Sequence, residues 1–373
     1  MMTTPLGRRI KTIFVDEFHD LIAPHPGRKQ AWDDACRTIT GTPTQLVFAS
    51  ATHPPHMHEI FLRKARLIDS PVRVIRASTD RPELGYYVLN LERTLWPSTV
   101  NLVQRLKELL EPDERILVFF EKREDVDTFS LTADCAVYHS QLPSDGENTK
   151  ARNLNRWDSG DSPVMAATTA AGQGIDRPYV KFVIIHGGTF GMLPYAQQGG
   201  RGGRGGRPSY VILLRDPRDH QARSRRKDVP DDVNCIGPFL DYAANKIVCR
   251  RKALLDVMDG KDESFSCLDK QGCNPCDLCD PDGYTLKLVQ DAVMSIAPSR
   301  SPPHITTSHH LPKPGPKVTP KGARPRADGE GRHGTLSQGS EDSYFLGPTV
   351  TTLPGQITDK VGGGKWSGKV RDS

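Results

Sequence analysis

The chain has 373 residues, of which 36% are hydrophobic and 25% are charged, and its formal net charge is +5. This length fits two or more domains, and the mild positive charge is compatible with nucleic acid without by itself indicating it. No run of eighteen apolar residues occurs, so the sequence predicts no transmembrane helix, and the start shows no signal-peptide pattern.

The first part of the chain has the pattern of a small α/β unit. Short apolar runs predict strands at 10–16 and 45–49, and apolar residues at helical spacing predict a helix at 32–39. This order is typical of a parallel strand–helix–strand unit. A further short strand is predicted at 72–75.

The same alternation continues at fuller length from about 97 to 215. Apolar runs predict strands at 116–120, 136–139, 164–168, 183–186 and 210–214. Helical spacing predicts helices at 99–110, 121–129 and 151–158. The alternation predicts a doubly wound α/β sheet that binds ligands at the carboxyl ends of its strands.

The remaining chain changes character twice. The highly charged segment 216–232 predicts a solvated loop or linker, and 238–259 is predicted to be helical. From 297 to 373, proline, glycine, serine, threonine and charged residues dominate, which predicts a disordered tail. A proline-rich docking site in the tail and an inert tail are both open interpretations.

Acidic residues follow the first predicted strand, in the sequence Asp-Glu-Phe-His at 16–19. A carboxylate at a strand's end can hold Mg²⁺ through water, and its neighbour can activate the attacking water. In this interpretation Asp16 holds the metal, Glu17 is the general base, and His19 couples the nucleotide site to the adjacent domain. Ser50 and Thr52, after the second strand, can hydrogen-bond this motif and relay its state. The alternative is an exposed acidic turn.

A glycine-rich run at 197–204 carries Gln197, Arg201 and Arg204. Glycines let planar guanidinium groups approach a triphosphate without crowding, and one arginine would stabilise the charge on the transferred phosphoryl group. The alternative is an RGG-type segment that binds RNA without a fold. The apolar strands predicted on both sides favour a folded turn.

Five of the eight cysteines lie between residues 249 and 279. This clustering indicates a metal site in a reducing compartment more than a disulfide framework. A Cys-x-x-Cys pair and two distant cysteines can complete a tetrahedral Zn²⁺ site, whereas the alternative is a set of free structural thiols.

Taken together, these motifs resemble those of superfamily 2 helicases in their order along the chain. Asp-Glu-x-His, Ser-Ala-Thr, the glycine-bearing segment 168–178 and the arginine-bearing run 197–204 resemble the RecQ family of DNA helicases, particularly its fungal RecQ-like and telomere-linked members. Segments 76–88, 117–120 and 138–140 also resemble that family. The resemblance covers about residues 10–282.

The resemblance implies an ATP-dependent 3′-to-5′ DNA helicase that acts on chromosomes in the nucleus, in repair and recombination. Its cofactors would be ATP, Mg²⁺ and Zn²⁺, and its partners single-stranded DNA and duplex junctions, with no membrane. The implied fold consists of RecA-like parallel sheets, the first partial and the second complete, with a small helical zinc-binding module and a disordered tail. The expected boundaries are 1–95, 96–215, 216–235 (linker), 236–284 (zinc-binding) and 297–373 (tail).

Residue roles follow from the same resemblance. Gln197, Arg201 and Arg204 would face the nucleotide that Asp16 and Glu17 serve. A loop shaped by three further residues would link nucleotide state to DNA contact: Gly172, Gly174 and Asp176. DNA contacts are expected from Thr168, Arg223, Arg225, Arg226 and Lys227. The basic stretch 223–227 has two further open interpretations, a nuclear import signal or a solvated charged loop.

The cysteine cluster resembles the zinc-binding subdomain of that family, which begins with Cys-Arg-Arg and ends with Cys-Asp-x-Cys. The resemblance implies Cys249, Cys276 and Cys279 as ligands. The fourth ligand is Cys267 or Cys273, and Cys267 is favoured because its spacing leaves a loop before the closing pair.

One expected element is missing from the sequence. No Gly-x-x-x-x-Gly-Lys-Ser/Thr occurs, so the chain is expected to hold only the second half of the first RecA-like domain, with an unpaired strand edge. Three functions stay open. They are a helicase that is competent within a longer chain, a nucleic-acid-binding remnant without ATPase activity, and an interaction protein whose tail recruits partners.

Overall fold

The computed structural model describes residues 10–22, 29–40, 44–92, 94–143, 146, 149–168, 175–218, 231–294 and 370–371. Across these ranges, no helix has both the length and the apolar character needed to span a bilayer.

The first part of the chain is a small parallel unit. Strands β1 (Thr12–Val15) and β2 (Gln45–Phe48) pair in parallel, and helices α1 (His19–Ile22) and α2 (Lys29–Thr40) lie between them in the chain. This confirms the predicted strand–helix–strand unit. A 3₁₀ turn at Pro55–Met57 leads into α3 (His58–Lys64).

Two four-residue strands form a marginal sheet, so this part depends on side-chain packing. The ring of Phe18 lies 4.4 Å from that of Phe61 and 6.1 Å from that of Phe48. Phe48 and Phe61 are 5.0 Å apart, centroid to centroid. These three rings join the turn after β1 to β2 and α3.

A six-stranded sheet dominates the rest of the described chain. Its spatial order is β4-β9-β8-β5-β7-β6, and every neighbouring pair is parallel. The strands are β4 (Leu84–Asn90), β5 (Arg115–Phe120), β6 (Ala136–Tyr138), β7 (Val164–Thr168), β8 (Val180–His186) and β9 (Ser209–Arg215). A separate pair joins β3 (Val74–Ile75) to β10 (Val370–Arg371) in antiparallel orientation.

Helices cover both faces of this sheet. Successive residues of β5 alternate between two cores, with Ile116 and Val118 in one and Leu117 and Phe119 in the other. The first core receives α4 (Leu95–Lys107), α5 (Arg123–Ala133) and α11 (Tyr284–Met294). The second receives α6 (Lys150–Ser159), α7 (Met192–Gly199), α9 (Ile236–Ala244) and α10 (Arg250–Met258), with α8 (Asp231–Asn234) preceding α9. The predicted doubly wound α/β fold is therefore confirmed.

Strand β4 corrects the expected boundary at residue 95. Sequence reasoning placed 84–90 in the first domain, as part of a joining segment. The structure pairs the whole of β4 with β9, from Leu84 opposite Ser209 to Asn90 opposite Arg215. Its burial on both faces explains this position, because a fully buried run is what a parallel sheet requires.

The helix predicted at 238–259 is two helices. The side chain of Asn245 ends the first one by accepting hydrogen bonds from the backbone N–H groups of Ile247 and Val248, both at 3.0 Å. Such local side-chain bonds compete with helix continuation. The break turns the chain so that α10 begins directly after Cys249.

Helix α11 lies at and beyond the expected end of the zinc-binding module and was not predicted. It packs on α4, where Ser98 Oγ donates to the carbonyl of Val293 at 3.3 Å and Asn101 donates to that of Ala292. Through Leu286 and Val289 it completes the core on that face of the sheet.

Trp157 tests the packing of the large sheet. It is fully buried, and its indole N–H donates to the carbonyl of Ile116 at 3.2 Å. We expect Trp157→Ala to lower the free energy of unfolding by about 3–5 kcal/mol, because it leaves a cavity and removes a buried hydrogen bond. Urea unfolding measures this. Leu131→Ala, at a site that is 81% exposed, is the control, and an equal loss in both variants would contradict this account.

Candidate functional site

A cleft of about 1230 Å³ lies between the small parallel unit and the six-stranded sheet. Three segments line it. The acidic turn is 16–19, the joining segment is 76–83, and the arginine turn is 197–204. Residues Ser50 and Thr52, after β2, complete the lining.

The acidic turn lies at the carboxyl end of β1. The side chain of Asp16 accepts a hydrogen bond from the backbone N–H of Glu17 at 2.8 Å, and Phe18 N donates to the carbonyl of Ala49 at 3.2 Å. Glu17 has a φ of +50°, a left-handed conformation that is uncommon outside glycine. Both carboxylates are exposed to solvent, as a metal-binding or water-activating role requires.

His19 connects the acidic turn to the opposite side of the cleft. The amide nitrogen of Gln197 lies 2.7 Å from His19 Nε2 and 3.1 Å from Thr52 Oγ1. Since the amide donates, His19 Nε2 accepts, and its proton lies on Nδ1. That nitrogen is 3.0 Å from Ser50 Oγ and 3.1 Å from a carboxylate oxygen of Glu17. His19 therefore contacts three residues that the sequence placed in a common site, and Gln197 adds the fourth, Thr52.

The arginine turn lies at the amino ends of two strands, not at the carboxyl ends that sequence reasoning expected for ligand-binding residues. Gly203 N donates to the carbonyl of Val180, the first residue of β8, at 3.2 Å, and Gly205 N donates to Pro178 at 3.0 Å. Gly203 has a φ of +66°, and a Cβ there would lie 2.7 Å from Glu83. Only glycine fits at this position without strain.

The two arginines of this turn have different surroundings. Arg201 is half-buried in the cleft and donates to the carbonyl of Ile175 at 3.0 Å. Arg204 instead forms an ion pair with Asp176, 2.5 Å between Nη1 and Oδ1, and this guanidinium holds the pKa of the Asp176 carboxyl below its usual value. Both arginines line the cleft, Arg201 with a half-buried side chain and Arg204 with a side chain that is paired with Asp176.

Burial disfavours the charged, protonated forms of two side chains in the cleft. It lowers the pKa of the Arg201 guanidinium, and the nearby charge of Arg204 adds to the effect. It also lowers the pKa of His53 to about 4, with a further contribution from Arg76, so this imidazole is neutral at physiological pH. A desolvated guanidinium interacts more strongly with an anion than a hydrated one does.

Other predicted site residues are less informative. Thr168 ends β7 and is only 7% exposed, opposite Phe120 in the sheet. Six residues predicted to have coupling or DNA-binding roles lie outside the described part of the chain: Gly172, Gly174, Arg223, Arg225, Arg226 and Lys227.

Four cysteines come together in a second site. The sulfur atoms of Cys249, Cys267, Cys276 and Cys279 all lie within 4.8 Å of one another. A tetrahedral zinc with bonds of about 2.3 Å holds its sulfurs roughly 3.8 Å apart, so this set fits such an ion. Cys273, the alternative considered from the sequence, is not a member of the group.

Hydrogen bonds within this cysteine cluster favour a thiolate. The sulfur of Cys249 lies 3.5 Å from that of Cys267 and 3.9 Å from that of Cys276, and these sulfur–sulfur hydrogen bonds hold the pKa of the Cys249 thiol well below its usual value. Thiolates are the form that binds a metal ion.

Two buried arginines follow Cys249, the first cysteine of the cluster. Sequence reasoning placed them in a family motif and assigned them no other role. Arg250 forms a bidentate pair with Asp277, at 2.9 and 3.1 Å, and both side chains are less than a tenth exposed. Arg251 pairs with Asp80 at 2.5 Å, at exposures of 1% and 2%. Because each partner is distant in sequence, only tertiary structure reveals these pairs.

The cysteine-bearing loop also covers the free edge of the large sheet. The outer side of β4 has no neighbouring strand within the sheet. Asp277 N donates to the carbonyl of Tyr86 at 3.2 Å, and a carboxylate oxygen of Asp277 accepts from Val88 N at 3.1 Å. An edge that would otherwise present unpaired backbone groups is satisfied in this way.

Comparisons with known proteins are consistent with these features. The family model for the helicase conserved C-terminal domain matches residues 101–206. The chain is 30% identical over 209 residues to the RecQ-like DNA helicase blm-1 of Caenorhabditis elegans, covering 51% of this chain and 20% of that protein. It is 27% identical over 210 residues to ATP-dependent DNA helicase Q1 of Pongo abelii, covering 54% of this chain and 31% of that protein.

A match to the ATP-dependent DNA helicase hus2/rqh1 of Schizosaccharomyces pombe has 28% identity over 153 residues, 37% of this chain and 11% of that protein. The chain thus spans a third or less of the length of these relatives. Among solved structures, S. cerevisiae Dbp5 bound to RNA and ADP BeF3 is similar with a TM-score of 0.45 and 19% identity, covering 56% of this chain and 54% of that one.

Asp80 tests the importance of the buried pairs. We expect Asp80→Ala to lower the free energy of unfolding by about 3–5 kcal/mol, because it leaves the Arg251 guanidinium buried without its counter-ion. Guanidinium chloride unfolding, followed by circular dichroism, measures the change. Asp113→Ala is the matched control, because its pair with Arg207 is 54% exposed on both sides and should matter little. Similar losses in the two variants would contradict the expectation.

Proposed function

We propose that this chain is a member of the RecQ family of superfamily 2 helicases and carries nucleotide-responsive and DNA-binding parts of an ATP-dependent DNA helicase that moves 3′ to 5′. The relatives named above are DNA helicases by name, and we extend that substrate and a nuclear location to this chain. The proposal concerns the whole activity, of which the chain spans a part.

The observation that carries the proposal is the hydrogen-bonded network centred on His19. It joins Glu17 on one side of the cleft to Gln197 on the other, with distances of 3.1 and 2.7 Å. A reaction that needs a base and a stabilising arginine from two separate domains requires such a contact across their interface. The network therefore supports coupling between closure of the cleft and chemistry within it.

Individual roles follow from position. Asp16 and Glu17 are exposed at the carboxyl end of β1, where a carboxylate can hold Mg²⁺ through water and its neighbour can take a proton from the attacking water. Arg201 would stabilise charge on the transferred phosphoryl group. Arg204, held by Asp176, would respond to movement of the segment that follows β7.

We further propose that the cysteine cluster holds Zn²⁺ through Cys249, Cys267, Cys276 and Cys279, with Cys273 free. The ion would supply folding energy, since it crosslinks Cys249 to the loop that carries Cys267, Cys276 and Cys279. The two arginines that follow Cys249 would extend this stabilisation to the joining segment and to β4.

A second candidate function has one observation in its favour. The 373 residues contain no Gly-x-x-x-x-Gly-Lys-Ser/Thr, whose backbone amides and lysine neutralise the β- and γ-phosphates in this class of enzyme. A protein with this sequence could therefore bind DNA without hydrolysing ATP.

ATP hydrolysis separates the two candidates. We expect turnover that single-stranded DNA stimulates when this chain is part of a longer chain that supplies the phosphate-binding loop. Glu17→Gln should lower it by about 10²–10⁴-fold, the range for a lost general base, and Arg201→Ala by about 10³-fold or more. Release of inorganic phosphate from purified protein is the measurement. Arg207→Ala is the control, since this arginine lies in the same glycine-rich run but pairs with Asp113 on the surface. No turnover, with DNA still bound and zinc present, would favour the second candidate.

Zinc content tests the ligand set. We expect the purified chain to hold one zinc ion, Cys267→Ser to lose most of it, and Cys273→Ser to retain it, because only Cys267 shares the group of close sulfurs. Inductively coupled plasma mass spectrometry gives the metal-to-protein ratio. Equal retention in both variants, or loss from Cys273→Ser alone, would contradict the assignment.

A further inference from the structure

We infer that Arg81 is a positioning residue that ties the arginine turn to the cysteine cluster, so that a metal ion bound by the cysteines fixes the turn that presents Arg201. The inference rests on the proposed function for the role of Arg201 toward a nucleotide and for zinc in the cysteine cluster. The mechanical link itself depends on contacts between residues of this chain.

The guanidinium of Arg81 holds the backbone on both sides of Arg201. Its Nη1 donates to the carbonyl of Gly200 at 3.2 Å, and its Nη2 donates to that of Gly202 at 2.9 Å. Glu83 accepts from Nε of Arg81 at 2.5 Å and so fixes the plane of the guanidinium. Two fixed carbonyls leave the residue between them little freedom to change direction.

The backbone around Arg81 is held in turn by Arg251. The Nη1 of Arg251 donates to the Asp80 carboxylate and, at 2.9 Å, to the carbonyl of Arg81. Its Nη2 donates to the carbonyl of Leu84 at 2.7 Å. With 1% of its side chain exposed, Arg251 has no water to replace these partners.

A second contact comes from the other half of the cysteine cluster. Asn274 N donates to the carbonyl of Pro82 at 2.7 Å, and Nη2 of Arg251 reaches the same carbonyl at 3.4 Å. Asn274 precedes Cys276 by two residues, and Arg251 follows Cys249 by two. The joining segment is therefore held by residues that immediately flank two of the four close cysteines.

The ion would control this arrangement by holding those two flanks together. The helix that starts at Arg250 and the loop around Cys276 meet at the sulfurs, where Arg250 N lies 3.4 Å from Cys276 Sγ. Without a metal, the sulfurs lose their common partner, and the two flanks remain joined by the Arg250–Asp277 pair and by the bond from Arg251 to the carbonyl of Asn274. Arg251 and Asn274 would then hold the joining segment less firmly, and Arg81 would in turn hold the arginine turn less firmly.

The arginine turn contains its own reporters of this effect. Its amides are hydrogen-bonded in the folded turn, with Gly202 N to Gly199 O at 3.0 Å, Gly203 N to Val180 O at 3.2 Å and Gly205 N to Pro178 O at 3.0 Å. Local opening of the turn exposes these amides to exchange with solvent deuterons. Hydrogen exchange thus measures the geometry of the turn without requiring ATP or DNA.

The experiment is hydrogen–deuterium exchange with mass spectrometry on the full chain, with its zinc and after treatment with a zinc chelator. In the wild type, we expect chelation to speed exchange at 199–206 by roughly tenfold or more, the effect of losing charge-assisted hydrogen bonds. Arg81→Gln should show the same fast exchange with zinc still bound. Arg81→Lys, which can reach one carbonyl, should be intermediate, and Arg207→Gln should match the wild type.

A role in general stability predicts a different result. In that case chelation would speed exchange at 199–206 in Arg81→Gln as much as in the wild type, because the two effects would add. We expect no further change, since the link is already broken. If chelation deprotects 249–279 and leaves 199–206 unchanged in the wild type, the inference is wrong.

Chelation that unfolds the whole chain would also speed exchange at the amides of β5 and β7. The experiment still tests the inference in that case. The zinc-bound Arg81→Gln variant then decides, and wild-type exchange at 199–206 in that variant overturns the inference. A chain that hydrolyses no ATP gives the same exchange readout. Failure of the proposed function is therefore distinguishable from failure of this link.

Discussion

The buried pairing of two consecutive arginines with distant aspartates is the interaction on which the rest of the structure depends. Arg250 meets Asp277 and Arg251 meets Asp80, all with less than a tenth of the side chain exposed. Charges this far from water are tolerated only when every partner is in place. Because the partners lie on the joining segment and on the cysteine-bearing loop, the two pairs fix three parts of the chain at once.

The cleft and the edge of the large sheet both follow from that constraint. Asp277 covers the outer side of β4, and Asp80 and Arg81 connect the same region to the arginine turn. The small parallel unit faces this assembly through His19 and Gln197. A two-stranded unit with little sheet of its own thereby acquires a defined position against a rigid partner, which a site built from two domains requires.

Sequence reasoning succeeded where a local pattern has one physical solution. Alternating apolar strands and helices have few packings other than a doubly wound sheet, and Asp-Glu-x-His and Ser-Ala-Thr identified residues that do meet in space. Sequence reasoning failed at β4. Partners far away in sequence bury this strand on both faces, and its local pattern is the same as that of a joining segment with some apolar residues. Sequence reasoning also joined two helices into one, because the bonds from Asn245 to Ile247 and Val248 leave no periodic signal.

The sequence by itself determined the fold class, the order of the elements and the residue types of both sites, because these depend on periodicity and on chemistry within short segments. Tertiary structure alone decided that Cys267, not Cys273, joins the other three sulfurs. It alone decided also that Arg204 is held by Asp176, whereas Arg201 donates to the carbonyl of Ile175. Neighbouring candidates of the same type are equivalent in sequence, and only the path of the backbone determines which one is close enough to bind.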